Sequence, residues 1–180
     1  MEKEEILQLM DSWENLGFLS REIDRHPECF DTLMEIALTS NEKGSWRAAW
    51  MADKIHDRYP ELIRPYLDEM TDSLHNLRDR GKIRHFLKLI SMNQIREDHF
   101  GFLVDYCLRT LESSEPPANR VHAMQVLYNI SEVEKELKPE LIQIIEQEIE
   151  YRPTPGILTR GKRILKMLHK QAFYPPAPLP

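Results

Sequence analysis

The chain has 180 residues, enough for one domain with a sizeable core, and its 41% hydrophobic and 30% charged residues argue against a disordered polyelectrolyte. Its formal net charge of −6 excludes a surface coated throughout for nucleic acid or anionic lipid, while leaving room for local basic patches. The acidic opening MEKEEILQLM lacks the basic start and apolar run of a secretory leader, and no stretch approaches the roughly 20 apolar residues of a membrane span. A cytoplasmic protein with no membrane contact is expected.

Apolar residues recur at spacings of three and four almost throughout, without alternating strands or hairpin turns, so the chain reads as all-α. Ile6, Leu7, Leu9, Met10 and Trp13 outline a first helix ending near Gly17, followed by a shorter helical piece over 18–26. Three later helices share an opening of Pro-Glu and two apolar residues, at Pro27, Pro60 and Pro139. Proline at the first helical turn loses no hydrogen bond, and glutamate there faces the positive end of the dipole. Gly44, Gly81 and Gly156 mark turns before the alternate helices. The pattern resolves into four helix pairs: 27–39 with 45–56, 60–75 with 80–90, 98–112 with 119–131, and 138–151 with 158–170. Pairs recurring about every 33 to 40 residues suit a helical repeat array rather than a bundle of long helices. The expected layout is therefore capping helices over 1–26, repeats over 27–170 forming one continuous domain with them, and a Pro-rich tail over 171–180. Four prolines in that tail enforce extended polyproline geometry.

The run Glu42-Lys43-Gly44-Ser45-Trp46-Arg47-Ala48-Ala49-Trp50-Met51-Ala52 resembles the turn and second helix of a HEAT or armadillo-type repeat. A polar turn leads into an apolar residue, a basic residue and an alanine-rich face. The apolar-basic step recurs at Ile83-Arg84 and Val121-His122, and Pro65 resembles the proline that often kinks the first HEAT helix. The resemblance covers 27–170, although the third pair lacks the opening proline. It implies an all-α, right-handed superhelical array of about four antiparallel helix pairs, with an inner face lined by the second helices.

On a helical wheel Ala48, Met51, Ala52 and Ile55 share one face of the 45–56 helix and read as core. Trp46 and Trp50 fall on the other side, among Asp53, Lys54 and Asp57, either packed under a neighbouring helix or forming a ligand platform. Arg80, Arg84 and Lys88 form a ladder at four-residue spacing. Lys162, Lys166 and Lys170 repeat that spacing on the last helix, with Arg160 and Arg163 nearby, while glutamates gather on 138–151. These cations are either solvated helix faces or a groove for an acidic or phosphorylated partner or nucleic acid.

No catalytic signature accompanies them. The seven histidines include no His-x-x-x-His pair, the six glycines are scattered singly, and Cys29 and Cys107 are isolated thiols, so neither metal nor cofactor is expected. Asp53 and Asp57 stand one turn apart, but beside Lys54 and Arg58 they read as an exposed charged face. The leading expectation is a non-enzymatic scaffold that binds a protein or peptide, an acidic one among the candidates, through Trp46, Trp50, Arg80, Arg84, Lys88, Lys162 and Lys166. The second is a DNA-binding protein related to the HEAT-like DNA-alkylation-repair glycosylases, which hold DNA in a basic, aromatic-lined groove.

Overall fold

A computed structural model describes residues 1–173, with side chains through Lys170. Ten α-helices account for most of the chain, with no strand among the described residues. Contacts divide it into two compact units, Met1–Gln94 and a second beginning at Ile95.

The first unit holds α1 (Lys3–Met10), α2 (Trp13–Arg25), α3 (Cys29–Thr39), α4 (Trp46–His56), α5 (Leu67–Ser73) and α6 (Arg80–Ser91). The expected first helix is broken before Trp13. Ser12 adopts an extended conformation and its hydroxyl accepts from the Glu14 amide at 3.3 Å, starting a new helix that runs straight through Gly17. The three Pro-Glu openings also differ. Pro27 sits in a turn ahead of α3, Pro60 starts a 3₁₀ turn, and only Pro139 lies within the first turn of an α-helix. Residues 60–75 do not form one helix: two 3₁₀ turns, Pro60–Leu62 and Arg64–Tyr66, precede the seven-residue α5. Two prolines five positions apart cannot both escape the helix interior, and Pro65 has no N–H to continue an α-helical ladder.

Gly44 does form a turn, with φ of 94°, a conformation natural to glycine. Gly81 and Gly156 instead lie inside the helices they were expected to precede. Asp79 caps α6, accepting from the amides of Gly81 at 2.8 Å and Lys82 at 3.1 Å. The alanine face of α4 is core as expected: Ala48, Ala49, Ala52, Met51 and Ile55 are buried, and such small side chains let α4 pack closely on both α3 and α6.

The second unit holds α7 (Phe100–Glu112), α8 (Pro117–Ser131), α9 (Lys138–Tyr151) and α10 (Pro155–Phe173). It repeats the arrangement of the first, with the second helices α8 and α10 packed together as α4 and α6 are. Gly161 brings α10 onto α9; a Cβ there would lie 3.0 Å from Ile149 Cδ1 and 3.1 Å from Ile145 Cγ2. Beyond Phe173 the Pro-rich tail lies outside the described residues.

One device recurs in both units: a cation from a neighbouring element closes the C-terminal end of a helix. Arg47 Nη1 donates to Met10 O of α1 at 3.0 Å. Buried Lys82 donates to Ser40 O at 2.5 Å and Ile36 O at 3.4 Å, at the end of α3. Arg152 donates to Ser113 O at 2.8 Å and to Leu111 O, at the end of α7. Each places positive charge on carbonyls of the last turn or its cap, at the negative end of the dipole.

Candidate functional site

Trp46 opens α4 and Trp50 follows one turn later, so both project from the same side. A third ring joins them. Trp13, set at the start of α2 by the Ser12 cap, stands edge-to-face with Trp46 (centroids 5.9 Å, 60°) and Trp50 (5.3 Å, 87°). Such pairs contribute about 0.5–1.5 kcal/mol each beyond area burial. The Arg47 guanidinium lies 5.4 Å from the Trp13 ring centroid and 5.5 Å from that of Trp46, steadied by its bond to Met10 O. Lys54 Nζ lies 5.9 Å from the Trp50 centroid. Trp46 and Trp50 are half-buried and Trp13 is 55% exposed, so the rings neither disappear beneath a helix nor stand bare. They form a rigid aromatic patch containing every tryptophan of the chain, edged with positive charge. Trp46 also rests on α6: a Cβ at Gly81 would come within 3.2 Å of Trp46 Cβ.

The α6 ladder separates by depth. Arg80 and Arg84 are exposed, whereas half-buried Lys88 pairs with Asp53 Oδ1 of α4 at 2.6 Å. Asp53 Oδ2 lies 3.0 Å from His85 Nδ1. The expectation of an exposed Asp53 is thus corrected: its residue is 2% exposed, because α4 turns it towards α6 rather than the solvent occupied by Asp57. Burial alone would raise its carboxyl, but hydrogen bonds from His85 and Lys88 outweigh burial and hold it below the usual carboxylate range. Asp53 and His85 form an acid–base pair in composition, yet both are sealed in the α4–α6 interface, where they hold helices together.

In the second unit Lys162, Lys166 and Lys170 are exposed along α10. Arg160 and Arg163 both donate to Gln125 Oε1 of α8, each at 2.9 Å. Burial, and then the charge of Arg163, lower the Arg160 guanidinium below its ordinary value. Gln125 carried no signal in the sequence, since a single amide on a helix becomes informative only once its cross-helix neighbours are known. The glutamates of α9 are not all surface charge either. Glu148 is buried, accepting from Arg120 at 2.5 Å and from Arg152.

Little here resembles catalytic or cofactor chemistry. Among the described residues no group of three or more His, Cys, Asp or Glu could hold a metal ion, and no helix is long and apolar enough to cross a membrane. Cys29 and Cys107 are buried free thiols, and burial pushes the Cys107 thiol far above its ordinary value, the opposite of an activated nucleophile. A hollow beside α1, lined by Lys3, Glu4, Asp11, Glu42 and Lys43, mixes both signs of charge and selects no ligand.

Comparison with curated proteins and with solved structures yields no match to this chain. The family model described as the HEAT repeat domain matches residues 5–168, from within α1 to within α10, and the chain accordingly belongs to the HEAT repeat domain family.

Proposed function

We propose that the chain is a non-enzymatic scaffold module that binds another protein through its first unit. The partner docks on Trp13, Trp46 and Trp50, with Arg80 and Arg84 at the α6 edge favouring acidic residues around the contact. Lys88 acts indirectly, by holding Asp53 and so the α4–α6 packing beneath the rings. In the second unit Lys162 and Lys166 supply further positive charge to an acidic partner. The buried free thiols accord with a reducing, cytoplasmic setting.

The observation that carries this reading is the aromatic cluster. Large rigid rings, more than half exposed at Trp13 and locked by one another and by Arg47, offer contact area with little side-chain entropy left to lose. A solvated surface of no consequence has no need to gather three tryptophans.

The test begins with a partner captured from lysate and then purified. Titration of that partner should change the tryptophan emission of the chain. Trp13→Ala should weaken its binding by about thirtyfold, the size of a hot-spot loss, without lowering the melting temperature by more than a few degrees. Arg84→Glu should weaken it mainly through a slower association rate. A folded Trp13→Ala protein that binds the same partner with unchanged affinity would overturn the proposal.

A further inference from the structure

A second recognition site lies in the other unit. Arg160 and Arg163 stand three residues apart on α10 and converge on one atom, Gln125 Oε1, at 2.9 Å each. The two donating nitrogens are therefore less than twice that distance apart. The oxygen between them belongs to a neutral amide, so it orients both guanidiniums without neutralising either. Gln125 is itself held, its Nε2 donating to Asn129 Oδ1 at 2.8 Å, which leaves its oxygen pointing at the arginines. Among the described residues neither arginine makes an ion pair, and nor do Lys162 and Lys166 on the same helix. Elsewhere in this unit arginines are matched with carboxylates, Arg109 with Asp105 and Arg120 with Glu148. Two like charges gathered on an uncharged atom form an arrangement that an added anion would relieve.

We propose that Arg160 and Arg163, with Lys166 one further turn along α10, bind the phosphate of a phosphorylated serine or threonine in a peptide segment of a partner protein. A phosphomonoester carries about −1.5 to −2 charge near neutral pH and three acceptor oxygens. It can therefore bond two guanidinium forks and an ammonium together, with one more acceptor oxygen and more negative charge than a single carboxylate brings. The cationic patch is also local. The neighbouring α9 carries exposed Glu146 and Glu150, and the chain as a whole is acidic, so an extended polyanion meets repulsion that one phosphate within a short peptide avoids. The site shares no residue with the tryptophan cluster, and the two can fail separately.

The experiment uses isotope-labelled full chain, followed by NMR, with the pentapeptide Ala-Ala-phosphoserine-Ala-Ala and its unphosphorylated twin as probes. The phosphorylated peptide should shift the Gln125 side-chain amide and backbone signals of α10 saturably, and the twin should not. Arg163→Gln changes an exposed side chain and should weaken binding about tenfold or more, the loss expected for a charged hydrogen bond. Arg160→Lys keeps the charge but loses the fork, and should also weaken it. Lys135→Gln, at an exposed lysine in the turn before α9 and outside the site, should leave affinity nearly unchanged. Equal shifts from both peptides, or unaltered binding by Arg163→Gln, would overturn the proposal. So would a short DNA duplex that binds more tightly than the phosphopeptide through the same arginines, since the ligand would then be nucleic acid.

Discussion

Each unit buries one carboxylate between helices, and the two are surrounded in different ways. Asp53 of α4 meets an imidazole and an ammonium, His85 and Lys88 of α6. Glu148 of α9 meets two guanidiniums, Arg120 of α8 and Arg152 just past the end of α9. If Asp53 is lost, its partners can adapt: an imidazole carries no obligatory charge, and half-buried Lys88 is close enough to solvent to be hydrated. Arg120 is buried and its guanidinium does not deprotonate, so it cannot adapt. Glu148 also steadies Arg152, the residue that closes the end of α7, whereas α3 is closed by Lys82 independently of Asp53. A buried ion pair is therefore not one kind of interaction in this molecule; its importance depends on whether the surviving partner has somewhere to go.

The largest effect should follow from removing these carboxylates in turn. Glu148→Ala strands a buried guanidinium and is expected to cost about 3–5 kcal/mol, the usual penalty for breaking a buried pair from one side. Asp53→Ala should cost about 1–3 kcal/mol, nearer to leaving polar groups short of one hydrogen bond. Urea denaturation of the two variants measures both, and equal costs would dissolve the contrast.

Acid sharpens the same comparison. The folded-state pKa of Asp53 is depressed, so as pH falls the unfolded chain takes up that proton first, near the ordinary value of about 3.9. The stability contributed by Asp53 is thus complete above that value and is lost as pH falls through the lower folded pKa. The gap in urea midpoint between wild type and Asp53→Asn should be widest at neutral pH and close below about pH 3.9. A gap that persists in stronger acid would mean that the charge of Asp53 is not what joins α4 to α6.

The fold was largely legible because its signals are local. The alanine face of α4, the turn at Gly44 and the three- and four-residue spacing of apolar side chains all act within one helix or its edges. What escaped depends on residues far apart in sequence. Asp53 reads as polar surface on its own wheel, and only the packing of α6, with His85 and Lys88 more than thirty positions later, turns it inward. Trp13 was assigned to the apolar side of a first helix that the Ser12 cap in fact divides, which frees its ring to reach Trp46 and Trp50. Arg160 and Arg163 were visible as charges, but their meeting at Gln125 was not. The break at Pro65 is the exception. It was open to local reasoning, since a proline five residues after Pro60 forbids one continuous α-helix.

A smaller effect separates two helical glycines, one in each unit. Gly101, in the first turn of α7, has open space where a Cβ would go. Gly101→Ala should stabilise the chain by about 0.5–1 kcal/mol, through helix propensity and a less flexible unfolded state. Gly81, in the first turn of α6, faces Trp46 Cβ at 3.2 Å and Asp79 Oδ1 at 3.1 Å. A Cβ is tied to its backbone and cannot swing aside as the tip of a long side chain can, so an alanine here has to push α4 from α6 or displace the Asp79 cap. The propensity gain is then offset by the strain of overpacking, leaving a net loss of about 1 kcal/mol. Because all three tryptophans lie in the cluster that Trp46 anchors, this substitution should also shift tryptophan emission, whereas Gly101→Ala should leave the spectrum unchanged. A Gly81→Ala protein as stable as wild type and with its spectrum would show that the rings do not depend on the close approach of α4 to α6. The aromatic patch would then be held by Trp13 and Arg47 alone.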